Sequence, residues 1–173
     1  MTRQLGIVDL LRIFGFDERI KTKLVRHQDT RYDISKLISE GWFDLYQSLQ
    51  SRPVFSGCQQ IISFIGDGGT RARLLGVFRV LSQQIADPLI VPVDCPYQEW
   101  RSLAKMTYYY ELERATEFAD LEGRVVVEWG AGALAWHQHL KNKPVIEIRP
   151  TGRLLEPFTD YSDFTLSYSE LRN

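Results

Sequence analysis

The chain has 173 residues, 44% hydrophobic and 25% charged, with 21 Lys and Arg against 22 Asp and Glu and a formal net charge of −1. That length holds one domain, or two very small ones, and buries enough surface to fold without disulfides or a metal. Such a composition excludes a disordered chain, a collagen-like repeat and a disulfide scaffold. The balanced charge excludes a protein that coats nucleic acid through a global basic excess.

The first apolar stretch, from Leu5 to Phe16, is interrupted by Asp9 and Arg12, which the apolar core of a secretory signal would not carry. No apolar run reaches the roughly 18–20 residues that cross a bilayer, so a soluble cytoplasmic protein with no membrane partner is expected. Within the first stretch Ile7, Leu10, Leu11 and Phe14 share one helical face, and Gly15 stops the helix. Residues 17–31 are polar and locally basic, with Arg19, Lys21, Lys23, Arg26 and Arg31 against Asp17, Glu18 and Asp29. A second helix is predicted after Asp33 as N-cap, with Ile34, Leu37 and Ile38 as its stripe and Gly41 at its end.

Strand character follows. Residues 59–65 and 73–81 are β-rich and separated by Gly66-Asp67-Gly68-Gly69-Thr70, which suits a hairpin turn. In the second run Leu74, Gly76, Phe78 and Val80 are expected on one face and Leu75, Val77 and Arg79 on the other. Apolar residues on both faces predict a strand buried on both sides, as in a small barrel, with Gly76 marking a bend or close approach. Pro88, Pro92 and Pro96 make 82–100 a long connection with one short strand at 89–93. Further strands are predicted at 108–112, 124–129 and 145–148, and a helix at 133–140 after Gly130-Ala131-Gly132.

The predicted fold class is therefore α+β. It is a small, mostly antiparallel β-barrel or curled sheet with N-terminal helices and one late inserted helix. Residues 1–44 form the helical segment and 45–173 the barrel-like recognition domain, together one unit.

Few residues offer catalysis. Cys58 and Cys95 have no second Cys or His at ligand spacing, so they read as a reduced pair, with a disulfide as the alternative. His137 and His139 lie two apart on the predicted helix and cannot share a metal there. His27 sits in a basic segment and suits an anion contact better than a base. The Gly130-Ala131-Gly132 turn lacks the third glycine of a dinucleotide fingerprint and any Walker lysine, so it reads as a phosphate loop or as a tight β-to-α turn. No catalytic residue, metal site or cofactor is expected.

Trp129 and Trp136 bracket that turn. With Gln138 beside them they suit either a cage for a planar base or the packing of a core. The segment from Tyr46 to Pro53 is rich in hydrogen-bonding side chains, among them Gln47, Ser48 and Arg52. Lys21, Lys23, Arg26, His27, Arg31, Arg52, Arg71 and Arg73 outline local basic patches, which fit backbone phosphates or a solvated face.

Several of these stretches form a set: Lys21 to Asp29, Leu45 to Gln50, Arg52 to Phe55, Ile61 to Gly66, Gly76 to Val80, Gly123 to Gly130 with Trp136 and Gln138, and Phe164 to Leu171. Together they resemble the N-terminal region of bacterial proteins of the GIY-YIG nuclease family. The Gly-Ile-Tyr and Tyr-Ile-Gly pair itself, and the Arg and Glu that serve that nuclease, are missing. The resemblance implies a specificity module for a nuclease domain in cis, and that the chain stops near where such a domain begins. The expected barrel is also similar, more loosely, to the PUA-like group of EVE, ASCH, YTH and SRA domains. Members of that group lodge a modified or flipped base in an aromatic pocket.

These resemblances imply a DNA-recognition domain for a modified base. Tyr46, Trp129 and Trp136 would supply stacking and Gln47 and Gln138 edge contacts, with Ser48 in the same pocket, and the eight basic residues above the backbone contacts. The alternative is an interaction or homodimerisation domain that docks through its aromatic tail, Phe158 to Tyr168.

Overall fold

The structure is a computed structural model that describes residues 4–28, 31–67, 69–102, 106–130 and 136–150, arranged about one curled sheet. In chain order its elements are α1 (Ile7–Ile13), β1 (Thr22–His27), α2 (Ile34–Ser39), α3 (Phe43–Ser48), β2 (Leu49–Gln50), β3 (Gln60–Gly66), β4 (Arg71–Ile85), β5 (Tyr108–Arg114), β6 (Val125–Glu128), β7 (His137–His139) and β8 (Val145–Ile148). Single 3-10 turns cover Pro88–Ile90, Gln98–Arg101 and Thr116–Leu121.

The sheet runs β2-β5-β4-β3-β1-β7, and β6 pairs with both β4 and β8. Every pairing is antiparallel except β1 with β3. One edge of β4 serves two partners in succession: Arg71–Arg73 pair with β6, and Phe78–Ile85 with β5. A strand that changes partner along its length must bend, and the sheet closes into a half-barrel. This is the α+β class with few helices that the sequence predicts.

Both faces of the sheet are covered. The inner face packs α1 (Ile7, Leu10, Leu11) and the 116–121 turn (Phe118, Leu121) against Leu24, Ile62, Phe64, Leu74, Val77, Val125, Val127 and Ile148. The outer face packs α2 (Ile34, Leu37), α3 (Phe43) and the 86–100 connection (Val91, Trp100) against Val25, Ile61, Ile65, Leu75 and Phe78. Helix α2 starts as predicted, with the Asp33 carboxylate accepting from the Lys36 N–H at 3.0 Å.

Three local expectations change. In β4 the alternation slips: Leu74 and Val77 face inward while Leu75 and Phe78 face outward, because the β3–β4 register shifts between Ser63 and Phe64. Gly76 sits at the slip, where a Cβ would stand 2.7 Å from Arg114 Nη1, so the close approach is real. The strand expected at 89–93 is instead the 3-10 turn after Asp87, whose carboxylate accepts from Leu89 N–H at 2.9 Å. The helix expected over 133–140 is strand β7 in its described part, since pairing with the edge of β1 outweighs local helix propensity.

The polar segment 17–31 also holds a strand. β1 lies between β3 and β7, with Thr22, Leu24, Val25, Arg26 and His27 all buried. Among the described residues no helix is long and apolar enough to cross a membrane. Cys58 and Cys95 are buried free thiols, and burial pushes both above the ordinary thiol value.

Candidate functional site

Alternation along β1 sends His27 to the outer face and Arg26 to the inner one. The His27 ring meets Gln47, which lies one helical turn after Phe43 on the buried side of α3. Gln47 Oε1 accepts from His27 Nε2–H at 2.9 Å and from the Ser63 hydroxyl of β3. In this orientation of the amide both lone pairs are in use, and Nε2 carries the His27 proton. The Gln47 amide NH2 is buried with no partner among the described residues. Turning the amide over would swap which end is orphaned without removing the orphan.

Burial drives the electrostatics here. It pushes the His27 pKa down to about 4 against the opposing pull of the Gln47 hydrogen bond, so the ring is neutral at pH 7. Around it stand Phe43 at 5.1 Å, Tyr46 at 6.0 Å and Trp136 at 6.4 Å between ring centroids. Tyr46 continues into a second aromatic group: Tyr32 at 5.5 Å and Trp100 at 5.8 Å, with Tyr97 stacked on Trp100 at 4.7 Å. Trp136 also meets Phe55 at 6.5 Å and is 38% exposed, so one indole of the cluster faces water.

A basic rim borders this cluster. Arg31 is exposed and near enough to Tyr46 to oppose the upward push of burial on its hydroxyl. Lys21 is exposed, Lys23 is half-buried with Nζ donating to Val54 carbonyl at 2.6 Å, and both act on the Cys58 thiol. Arg52 is exposed on the same 51–58 loop. His137 of β7 lies beside Lys23, and its pKa is lowered first by burial and then by Lys23 and His139.

The structure therefore divides the candidate residues. Tyr46, Gln47 and Trp136 come together at His27, and Ser48 is buried at the end of α3. Trp129 does not join them: it is 2% exposed in the inner core, 5.5 Å from Phe64. Gln138 pairs with Leu24 across β1–β7 and so shares the inner face. Among the expected phosphate contacts Arg26, His27 and Arg73 are buried, because strand pairing carries them into the two packed layers. Lys21, Arg31 and Arg52 are exposed, while the Arg71 guanidinium pairs with Asp67 at 3.0 Å.

Sequence reasoning missed His27 and Ser63 as partners of Gln47. Neither carried a signal: Thr22 to His27 shows no polar–apolar alternation, and Ser63 lies in a run of apolar residues. Among the described residues no group of three or more His, Cys, Asp or Glu is placed to hold a metal ion. Comparison with family models, with curated proteins and with solved structures finds no match.

Proposed function

We propose that this chain is a DNA-recognition domain that reads a base, modified or turned out of its stack, at the His27–Gln47 cluster. The observation that carries this reading is the orphaned Gln47 amide, bonded through its oxygen to His27, whose ring neighbours Tyr46 and the water-facing Trp136. A buried amide without a partner costs about 1–3 kcal/mol, and a base edge bearing an acceptor would return it. Stacking on an indole or phenol adds roughly 1–3 kcal/mol per base, set against a few kcal/mol for unstacking it from a duplex. Lys21, Lys23, Arg31 and Arg52 are the charges that would meet the backbone. The resemblance of the sequence to the N-terminal region of GIY-YIG proteins favours a nuclease domain in cis as the effector.

The test is fluorescence anisotropy with plain, 5-methylcytosine and 5-hydroxymethylcytosine duplexes at two salt concentrations. Binding is expected to discriminate among the three, and Trp136→Ala and Gln47→Ala to abolish the discrimination. Replacing Lys21 and Arg31 together should weaken all three equally and flatten the log–log salt dependence by about 0.9 per lost phosphate contact. Absence of binding at about 50 mM salt would overturn the proposal, since electrostatic binding is strong there.

A second reading, an interaction domain, is favoured by Leu81, Ile85, Leu89 and Val93, large apolar residues that are all exposed. The aromatic tail on which that alternative first rested lies outside the described residues. A concentration-dependent mass in light scattering, abolished by Ile85→Lys with Leu89→Lys, would establish it.

A further inference from the structure

On the inner face, opposite His27, a second polar group is built around Trp129. The Arg26 guanidinium carbon lies 5.7 Å from the Trp129 ring centroid, and Lys143 Nζ lies 4.9 Å from it. Both cations are fixed by carbonyls rather than carboxylates: Arg26 Nη1 donates to Gly69 at 3.2 Å, and Lys143 Nζ donates to Trp129 at 2.6 Å. The backbone N–H of Trp129 donates to the Thr70 carbonyl at 2.6 Å, which ties this group to the β3–β4 turn. Gly66 makes room for the Arg26 stem, since a Cβ there would stand 3.2 Å from Arg26 Cδ.

The donors of this group exceed its acceptors. Arg26 Nε and Trp129 Nε1 are both buried with no partner among the described residues, on side chains only 5% and 2% exposed. Lys143 is half-buried and uses one of its three N–H bonds on the Trp129 carbonyl, which leaves two. Its ammonium is pushed below the usual lysine value by burial first, then by Lys141 and Arg26, with Glu128 the smaller opposing influence. Positive charge thus outweighs negative here, and neither cation has a carboxylate ion pair among the described residues. A buried guanidinium with a spare Nε–H, a half-buried ammonium with two spare N–H bonds and an indole N–H without an acceptor call for an anion with several oxygens.

We propose that Arg26, Trp129 and Lys143 form an oxyanion site that takes a phosphate group. The exposed Gly69 and Thr70 and the half-buried Lys143 make its rim, so the ammonium meets the anion first and the guanidinium and indole N–H complete its coordination. This site lies on the opposite face from the base-reading cluster and stands without it. The phosphate is either a free ion or a backbone phosphodiester.

The experiment follows the Trp129 indole N–H and Arg26 Nε–H signals in 1H–15N spectra of the full chain, assigned with Trp129→Phe and Arg26→Lys. Inorganic phosphate should shift both signals saturably, whereas chloride at equal ionic strength should not. Lys143→Met should weaken the response roughly tenfold or more, the loss expected for one charged hydrogen bond, and Lys143→Arg should retain it. Gly66→Ala, whose Cβ would press on Arg26 Cδ at 3.2 Å and meet Nε at 3.4 Å, should weaken it without removing any donor. A hexanucleotide that shifts the signals where inorganic phosphate does not assigns the site to backbone; the reverse assigns it to free phosphate. No shift with either probe, an equal shift with chloride, or an unchanged response in Lys143→Met overturns the proposal. Trp136→Ala should leave the shifts intact, so loss of base reading and loss of phosphate binding are separate results.

Discussion

Arg26 and His27 are consecutive in β1, and the pleat sends them to opposite faces, each beside an indole. The two faces handle a buried polar group differently. On the outer face His27 is neutral, its proton lost to burial, and its N–H is matched by Gln47 Oε1. On the inner face the Arg26 guanidinium is held by a carbonyl and a π face. The indoles follow suit: Trp129 is buried at 2% exposure and Trp136 looks out. The lesson is that one strand can carry a neutral polar cluster and a cationic one back to back, each within its own packed layer.

The largest effect should separate the indoles. Trp129→Ala removes a core side chain and is expected to cost roughly 3–5 kcal/mol of stability. Trp136→Ala should cost no more than about 1 kcal/mol, as a partly exposed position does. Urea unfolding of the two variants measures the difference. Equal losses would mean that Trp136 is a core residue and would remove the water-facing wall of the base site.

Next in size is the pH dependence. The folded-state pKa of His27, about 4, lies below the ordinary value of 6.5. Below pH 6.5 the unfolded chain therefore binds a proton that the folded chain refuses, and stability falls as pH drops toward 4. The full loss is about 3 kcal/mol, present as stability above pH 6.5 and gone below pH 4. Urea midpoints between pH 7.5 and 4 should show it, and His27→Gln should remove most of it, leaving the smaller slope of His137, whose pKa is also lowered, and the opposed one of Glu122, whose carboxyl burial pushes up. An unchanged slope in His27→Gln would show that the ring is already solvated, and the contrast with Arg26 would fail.

Much of the architecture was legible because its signals are local. Ile7, Leu10 and Leu11 made α1 visible, Asp33 announced α2, and the glycine-rich turn at 66–70 announced the β3–β4 hairpin. β1 was not, because Lys23, Arg26 and His27 are polar and strand pairing buries two of them. β7 was read as helix because His137–His139 gains its structure from β1, far away in sequence. Tyr46, Gln47 and Trp136 could be named as candidates from residue type alone. That His27 and Ser63 both bond Gln47 could not, since each comes from a different element. Lys143 carried no local signal: its place over Trp129 is set by the pairing of β6 with β8.

The smallest predicted effect tests whether the outer cluster is held by its hydrogen bonds or by its rings. Ser63 is wholly buried between β1 and β4, and its hydroxyl has Gln47 Oε1 as acceptor. Ser63→Ala deletes that bond but leaves His27 Nε2–H with its acceptor, so no new orphan donor appears. The cost should be that of one ordinary hydrogen bond, about 1 kcal/mol, with the pH slope of His27 intact. Freed of Ser63, Gln47 Oε1 has a lone pair to offer, and a base edge that presents a donor beside an acceptor becomes matched where only an acceptor edge was before. Preference among the modified duplexes should therefore relax in Ser63→Ala while affinity for the preferred one changes little. A loss of all binding, or a cost as large as that of Trp129→Ala, would show that Ser63 supports the sheet itself and that Gln47 does not owe its orientation to it.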